Sequence, residues 1–479
     1  MIESRTNSEW QDAAYSPKKL KSNLVQFIEE SCIVMGPDIS ERYFKSPTGH
    51  CNELAERPLA LVFPKTTYQL SSFLSWCNRH GQTVTPQGGM SGLVGGGCPT
   101  ASDIVVSLER MNEIENINPN ERTMTAQAGV ILQVAQEYAA EKGFSFPVDI
   151  GARGTAMLGG MIATNAGGMQ VLRYGMMRQN IMGLEVVLAD GTVLSSLNTM
   201  LKDNAGYDLK HLFIGSEGTL GIVTRAVFRL NPASQVSGTA LVGIKDFDQV
   251  VSFLRYLEKT LCGTLTTFEI LWKNYYDFIN VHCPSVDIPI PAIHDYYVLV
   301  ESQANDPERD QVSFENALAH SLEQNMISNA VIATSERQRQ RIWAVRENPS
   351  EGLRKFGPWI LFDVSLQISD MNEFCKLITK KTTAIYPDAT ILVMGHLADG
   401  NLHLLIAADG GSTTARAKVD DMVYGEIARF GGSVSAEHGI GTLKKQHMEK
   451  TRTAAEIELM RLIKQTLDPH GILNTGKIL

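Results

Sequence analysis

The sequence predicts a mixed helix-and-sheet chain, α/β or α+β, divided among two to four domains. Three observations carry this expectation. The chain has 479 residues, more than one core of ordinary size organises. Short apolar runs alternate with helical stretches and Gly-rich loops up to about residue 230. Beyond a polar break at 231–237 (NPASQVS), helices and strands lengthen and glycines become sparse.

Taken in order, 17–35 reads as an amphipathic helix with Leu20, Leu24, Phe27 and Ile28 on one face. Residues 59–63 (LALVF) read as a buried strand ended by Pro64. The stretch 67–80 reads as a helix, capped by Thr66 or Thr67 and closed by Gly81. Residues 103–108 and 123–128 are further strands, and 130–142 is a helix ended by Gly143. After the break, 247–260, 296–302, 310–325 and 371–386 suggest an antiparallel sheet covered by helices. A last helix at 453–467 carries Ile457, Met460, Ile463 and Leu467 as its apolar stripe and stops at Asp468-Pro469.

Composition narrows the function. Hydrophobic residues make up 43% and charged residues 20%, as in folded globular proteins. A formal charge of −9 argues against nucleic acid as the main partner, since phosphate neutralisation needs clustered Lys and Arg. The cysteines at 32, 51, 77, 98, 262, 283 and 375 are scattered, odd in number and form no CxxC pair. Reduced thiols and a cytoplasmic protein are expected. The first residues, MIESRTNSEWQDAAYS, show neither an apolar signal core nor an Arg-rich transit pattern. No apolar stretch suggests an integral membrane segment, which leaves peripheral docking open.

Three Gly-rich segments stand out. Residues 84–99 (VTPQGGMSGLVGGGCP) place six glycines within ten residues after a strand end. Successive N–H groups in such a loop can cradle a phosphate. It is neither a Walker loop nor a Rossmann fingerprint, and a tight turn would explain it as well. Residues 147–175 (PVDIGARGTAMLGGMIATNAGGMQVLRYG) hold two GG pairs, and 215–223 reads GSEGTLGIV. Three such loops together favour a large bound cofactor over close packing alone.

A second constellation lies further on. Residues 391–408 (ILVMGHLADGNLHLLIAA) form a hairpin pattern around Asp399-Gly400, with His396 and His403 on either side of the turn. The turn lets both imidazoles converge at one end of the sheet. Residues 433–441 (SVSAEHGIG) present Glu437 and His438 beside glycines. Two His and a carboxylate are a known ligand set for zinc or a similar divalent ion. Spacing alone leaves open whether Glu437 reaches the hairpin.

Together with 202–228 (KDNAGYDLKHLFIGSEGTLGIVTRAVF), the Gly segments resemble the FAD-binding domain of the vanillyl-alcohol-oxidase flavoprotein superfamily. From about Arg57 to Leu479 the chain resembles the FAD-dependent D-2-hydroxy-acid dehydrogenases, of D-lactate, glycolate and D-2-hydroxyglutarate type. The resemblance implies an α+β fold. It comprises a bipartite, PCMH-type FAD-binding domain over 1–230, a substrate-binding cap domain over 231–430 with a helix-covered antiparallel sheet, and a C-terminal segment over 431–479 that packs back toward the FAD. It implies that Pro86, Gly88, Gly89, Met90, Ser91 and Gly92 bind the pyrophosphate. Pro147, Asp149, Gly159, Gly160, Thr164, Asn165 and Gly168 would run along the dinucleotide. Glu217, Gly218, Ile222 and Val223 would reach the adenine side, and Asn474 in NTGKIL the isoalloxazine. Met90 stands where covalently tethering relatives often carry His, which implies non-covalent FAD.

The family patterns GHxGDGNLH and EHGxG match 395–403, with Ala398 in place of a Gly, and 437–441. They imply His396, His403 and Glu437 as ligands of a divalent metal, usually zinc, and His438 as the base. Arg346 in WAVREN (343–348) matches the family arginine that holds the substrate carboxylate. The implied reaction is oxidation of a D-2-hydroxy acid to the 2-oxo acid: the metal binds the substrate, His438 takes the hydroxyl proton, and hydride passes to flavin N5. Relatives acting on D-2-hydroxyglutarate often carry Thr, Lys and Asn where this chain has Ser350, Leu361 and Leu405. D-lactate or another D-2-hydroxy acid of low polarity is therefore expected, with D-2-hydroxyglutarate as the alternative. A metal-dependent hydrolase would use the His and Glu residues but leave the Gly loops unexplained. A catalytically silent flavoprotein and an oxygen-using oxidase are further alternatives. An electron-transfer flavoprotein, quinone or cytochrome would accept the electrons, and a homodimer is expected from base rates.

Overall fold

The computed structural model of the protein describes residues 16–45, 56–304 and 306–479. Cys51 and most of the leading polar segment lie outside these residues; among the described residues the other six cysteines form no disulfide. The chain divides into two compact units. One comprises Met1–Ala166, Met176–Pro232 and His438–Leu479, the other Gly167–Gly175 and Ala233–Glu437.

The first unit holds two main sheets. Strands β1 (Ile33–Met35), β2 (Ala60–Val62), β3 (Val84–Gln87) and β4 (Ile104–Ser107) lie in the order β1-β2-β4-β3. The last three are parallel, and β1 joins the edge antiparallel. Strands β2 and β4 are buried throughout, as a parallel sheet covered on both faces requires. The helix Thr67–His80 starts where Thr66 accepts the Gln69 N–H at 3.2 Å and ends at Gly81, whose φ of 62° is left-handed.

The sequence expectation of one helix over 17–35 needs correction. The helix ends at Leu24, a 3₁₀ turn covers Glu30–Cys32, and Ile33–Met35 is β1. Ile33 and Val34 are β-branched, and pairing Ile33 with Val62 and Val34 with Leu61 gives their backbone a ladder that a longer helix would forgo.

The second sheet is antiparallel. It contains β5 (Ile114–Asn118), β6 (Thr123–Gln127), β8 (Ile181–Val187), β9 (Val193–Ser196) and β10 (Ile222–Arg229), in the order β5-β6-β10-β8-β9. The short β7 (Phe144–Ser145) pairs with β11 (Asn231–Pro232). The helix Ala454–Leu467 begins with a capping box between Thr453 and Glu456. Its Lys464 ammonium donates to the carbonyls of Thr219 at 2.7 Å and Leu473 at 2.9 Å and pairs with Asp468. The fully buried Asp468 carboxylate also takes the N–H groups of Ile472 and Leu473. This clamp presents 472–474 to β3, where Val84 donates to Ile472 and Asn474 donates to Val84, both at 2.8 Å. Asn474 thereby arrives beside the Gly loop that follows β3.

The second unit is built on one seven-stranded antiparallel sheet. Its strands are β12 (Gln235–Ile244), β13 (Leu265–Trp272), β14 (Tyr296–Ala304), β15 (Asn329–Ile332), β16 (Ile360–Ser365), β17 (Thr390–His396) and β18 (Asn401–Ala407). The order is β15-β12-β14-β13-β17-β18-β16. Alternation along each strand sends side chains to two different layers. On one face Phe268 meets Phe253 of the helix Phe247–Thr260, with ring centroids 5.8 Å apart. On the other face Leu271, Tyr297, Leu299, Leu392, Met394 and Leu405 pack with the helices Lys273–His282 and Glu336–Glu347. Among the described residues no helix is long and apolar enough to cross a membrane.

Candidate active site

The second face of the seven-stranded sheet gathers a cluster of acids and imidazoles. Cross-strand register sets Glu269 opposite His396, Met394 opposite His403, His403 opposite Asp363, and Leu405 opposite Leu361. Directly opposed residues share a face, so the acids, the imidazoles and the two leucines project into one layer. A 3₁₀ turn at Leu397–Asp399 and Gly400, with φ 81°, close the β17–β18 hairpin. The two imidazoles converge at 5.3 Å between ring centroids.

Glu437 joins them through buried anchors. The Asp363 carboxylate, with no exposed side-chain surface, accepts the N–H of Glu437 at 3.0 Å, the N–H of Ala436 at 3.2 Å and the Ser435 hydroxyl at 3.2 Å. The Gly168 N–H donates to Glu437 Oε1 at 2.8 Å. Ligand atoms of His396, His403 and Glu437 then lie within 4.8 Å of one another. His403 Nδ1 is 4.0 Å from Asp363 Oδ1, and His396 Nδ1 hydrogen-bonds Glu269 Oε1. With Nδ1 turned to a carboxylate, His396 keeps Nε2 for a cation, a usual arrangement for metal-binding imidazoles. The donor set fits a divalent ion.

Glu269 is only 1% exposed, and its second oxygen accepts from Arg346 Nε at 2.9 Å. Burial alone would raise its carboxyl, but the His396 and Arg346 charges hold it at about 2. Burial would likewise lower the His396 imidazole; Glu269 foremost, with Glu437, pushes it up to about 9. With no ion bound, this pair stabilises the fold fully between the ordinary carboxylate and imidazole ranges. That stability is lost as pH falls through about 2 or rises through about 9. A metal bound at His396 would have to displace its proton. If the cluster binds a metal, its affinity should rise by up to about tenfold per pH unit below about 9, with about one proton released per ion at pH 7. Calorimetry in buffers of different ionisation enthalpy measures that proton; release of none would contradict the assignment.

Arg346 lies on the helix Glu336–Glu347, and its terminal amino groups make no hydrogen bond among the described residues. Leu405 is buried and Leu361 partly buried against the apolar layer. Ser350, at the start of the helix Ser350–Phe356, is exposed and makes no hydrogen bond to these groups among the described residues.

The Gly loops occupy the first unit. Pro86 ends β3, and the backbone N–H groups of Gly88 through Gly97 donate to no acceptor among the described residues. Val94 and Gly95 of this run are buried, and Met90 takes a left-handed φ of 53°. Buried donors without partners are costly, so such a run suits an anionic group such as a pyrophosphate. Gly160 Cα lies 3.5 Å from where a Cβ on Gly88 would sit, which sets this loop against the helix Leu158–Thr164. Asn474 donates from Nδ2 to the carbonyls of Gly96 at 2.9 Å and Glu217 at 2.7 Å. Its Oδ1 is buried without a partner among the described residues. The loop and Asn474 both fit a polar cofactor.

The other expected residues are held in the fold. The Glu217 carboxylate accepts the N–H groups of Ile440 at 2.7 Å and Gly441 at 2.8 Å. Burial raises its carboxyl, and those two N–H groups oppose the rise. Gly439 has φ 85°, and a Cβ there would come within 2.7 Å of Glu217 Oε1, so only glycine fits. This bond holds the backbone just after His438. Gly218 adjoins Pro86, and Ile222 and Val223 are buried in β10. Asp149 accepts from Gln136 at 3.1 Å and pairs with Arg153; Pro147 is buried nearby in sequence. Gly159 donates to Ala128 at 2.7 Å, the Thr164 hydroxyl donates to Gly160 at 3.1 Å, and Asn165 Oδ1 accepts the Arg178 N–H at 2.9 Å. Ser91 is partly exposed and Gly92 exposed. Gly168, expected along the dinucleotide, belongs to the second unit and binds Glu437.

Glu269 and Asp363 were not expected from sequence. A signal existed for the first: it is the sole charge in LTTFEILW, a strand buried at every position. Asp363 stands likewise alone in ILFDVS. Buried acids in apolar strands need partners.

Residues 58–196 match the model of an FAD binding domain, and 233–478 match that of the C-terminal domain of FAD linked oxidases. A D-2-hydroxyglutarate dehydrogenase of Stutzerimonas stutzeri is 36% identical over 473 residues, covering 96% of this chain and 98% of the relative. The chain belongs to the FAD-dependent D-2-hydroxy-acid dehydrogenase family. A second family member, the D-2-hydroxyglutarate dehydrogenase of Xanthomonas citri pv. viticola, is 38% identical over 426 residues, covering 88% and 89% of the two chains. The mitochondrial D-2-hydroxyglutarate dehydrogenase of Arabidopsis thaliana is 36% identical, covering 88% and 74%. The family fold, α+β with a PCMH-type FAD-binding domain, is shared with p-cresol methylhydroxylase. That structure matches at TM-score 0.77 and 16% identity, over 99% of this chain and 98% of the other. Both family models describe flavoproteins, so FAD is the cofactor and the hydrolase alternative has no support.

Proposed function

We propose that this chain oxidises a D-2-hydroxy acid with a side chain of low polarity to the 2-oxo acid. The observation that supports it most is the Glu269 bridge. It joins an arginine with two uncommitted amino groups to one member of a His-His-Glu cluster, on a face also carrying Leu361 and Leu405. A carboxylate beside a hydroxyl matches that pairing: Arg346 takes the carboxylate in a fork, and the cluster faces the hydroxyl.

His396, His403 and Glu437 would hold a divalent ion, zinc by donor type, which supplies Lewis acidity toward the hydroxyl oxygen. The 88–97 loop and Asn474 would hold FAD without a covalent tether, since no His occurs in 84–99, and FAD supplies the two-electron acceptor. His438 takes the hydroxyl proton. Glu217 fixes the loop that follows His438. Leu361 and Leu405 offer an apolar wall where a second carboxylate would go unmatched. In this reading the electrons leave to an electron-transfer flavoprotein, quinone or cytochrome, and D-2-hydroxyglutarate is the second substrate, since relatives carry that name.

Anaerobic absorbance spectra with D-lactate, L-lactate and D-2-hydroxyglutarate test this reading. Bleaching of the flavin bands by D-lactate and not by its enantiomer is expected. Bleaching by D-2-hydroxyglutarate alone would replace the substrate assignment, and a flavin untouched by any D-2-hydroxy acid would overturn the reaction.

A further inference from the structure

The helix Glu336–Glu347 turns two arginines, seven residues apart, toward the same sheet face, and each meets a buried glutamate. The two pairs are built differently. Arg339 uses Nε and Nη2 on Glu301, at 2.8 and 3.2 Å, and Nη1 on Glu336 at 3.3 Å. Glu301 is further occupied by Trp343 Nε1 at 2.9 Å and the Thr239 hydroxyl at 2.8 Å. That pair is closed and structural. Arg346 reaches Glu269 through Nε alone, although Glu269 is buried at least as deeply as Glu301. The oxygen that would have completed a fork is given to His396 instead.

We propose that Glu269 is a positioning residue that sets two groups at once. One oxygen orients His396 with Nε2 free for a cation, and the other orients Arg346 with its terminal amino groups free for a substrate carboxylate. This rests on the reading of Arg346 and the His396–His403–Glu437 cluster given above. Only a carboxylate meets both demands, because both neighbours present N–H groups and two acceptor oxygens are needed. Glutamine has one such oxygen and would turn its NH₂ toward a donor. Aspartate is one methylene shorter, which leaves it unable to span both partners from the same backbone position.

The test uses the full-length flavoprotein loaded with zinc. Zinc release to a chromogenic chelator is the readout independent of turnover, the KM for D-lactate is the second, and the flavin spectrum reports the fold. Glu269→Gln should release zinc about 10–100-fold faster, since loss of an outer-shell partner of a metal-binding His has effects of that size, and should raise KM more than it lowers kcat. That variant strands a buried cation and can fail to fold. The same comparison is therefore made in an Arg346→Met background, where one acceptor suffices. There, Glu269→Gln should keep zinc release within about threefold of Arg346→Met, while Glu269→Ala should release it about 10–100-fold faster. Equal release from those two double variants would overturn the proposal, as would a folded Glu269→Gln enzyme with unchanged zinc release and unchanged KM. A wild-type protein that binds no zinc and is reduced by no D-2-hydroxy acid would remove the reading of the whole site. A wild type that does both, with indifferent variants, would remove only the role of Glu269.

Discussion

Arg346→Met is expected to lower kcat/KM for a D-2-hydroxy acid by about 10²–10³-fold, most of it through KM. The guanidinium spends only Nε on Glu269, so its remaining fork is available to a carboxylate that has left water. Methionine fills similar space but offers no donor, and the substrate then loses two charge-assisted hydrogen bonds. The His396–His403–Glu437 cluster should survive, because Glu269 keeps its bond to His396. Removing one member of a buried ion pair also costs about 3–5 kcal/mol where the remaining charge has no other partner; here the His396 bond moderates that cost. Arg346→Lys should recover part of the stability and little of the rate, since an ammonium is a point charge rather than a planar fork. Steady-state kinetics with a thermal melt separate the two effects. An Arg346→Met enzyme with unaltered KM would take the arginine out of the site.

The second large effect concerns the substrate side chain. Leu361→Lys combined with Leu405→Asn should raise the ratio of kcat/KM on D-2-hydroxyglutarate to that on D-lactate by about 10–100-fold. The two leucines are opposed across β16 and β18, two residues along from Asp363 and His403 on the same strands. An ammonium and an amide there would meet a second carboxylate, while lactate has nothing to offer them. Leu361→Lys alone should move the ratio in the same direction by less. Burial of the lysine stem against Leu405 and its neighbours is tolerable because Leu361 is only partly buried. A ratio that stayed put in a folded, zinc-loaded double variant would show that these positions do not line the pocket.

Much of the architecture was legible in the sequence because it depends on neighbours a few residues apart. The helix Thr67–His80 follows from a Thr cap, an apolar period and a closing Gly. The Phe247–Thr260 and Ala454–Leu467 helices follow from the same kinds of signal. The His396–His403 convergence follows from a hairpin turn at Asp399-Gly400, and the anion-suited loop from six glycines in ten residues. Whole motifs gave the family, since 395–403 and 437–441 carry both residue types and spacing.

What local pattern could not decide was everything settled by a distant partner. Ile33–Met35 became a strand rather than the end of a helix because β2 lay beside it to supply a ladder. Gly168, in a Gly-rich stretch that reads as one cofactor loop, donates to Glu437, 269 residues away. Asp363 gathers the N–H groups of Ala436 and Glu437, and so brings Glu437 to a hairpin that spacing alone could not connect with it. Glu269 reaches Arg346 across 77 residues and His396 across 127. Sequence alone determined the FAD cofactor class, the family and most elements, because backbone propensity and motif chemistry are local. Tertiary structure decided which carboxylate serves which cation, because the cost of burying an acid is met only when the fold brings its partners within hydrogen-bonding distance.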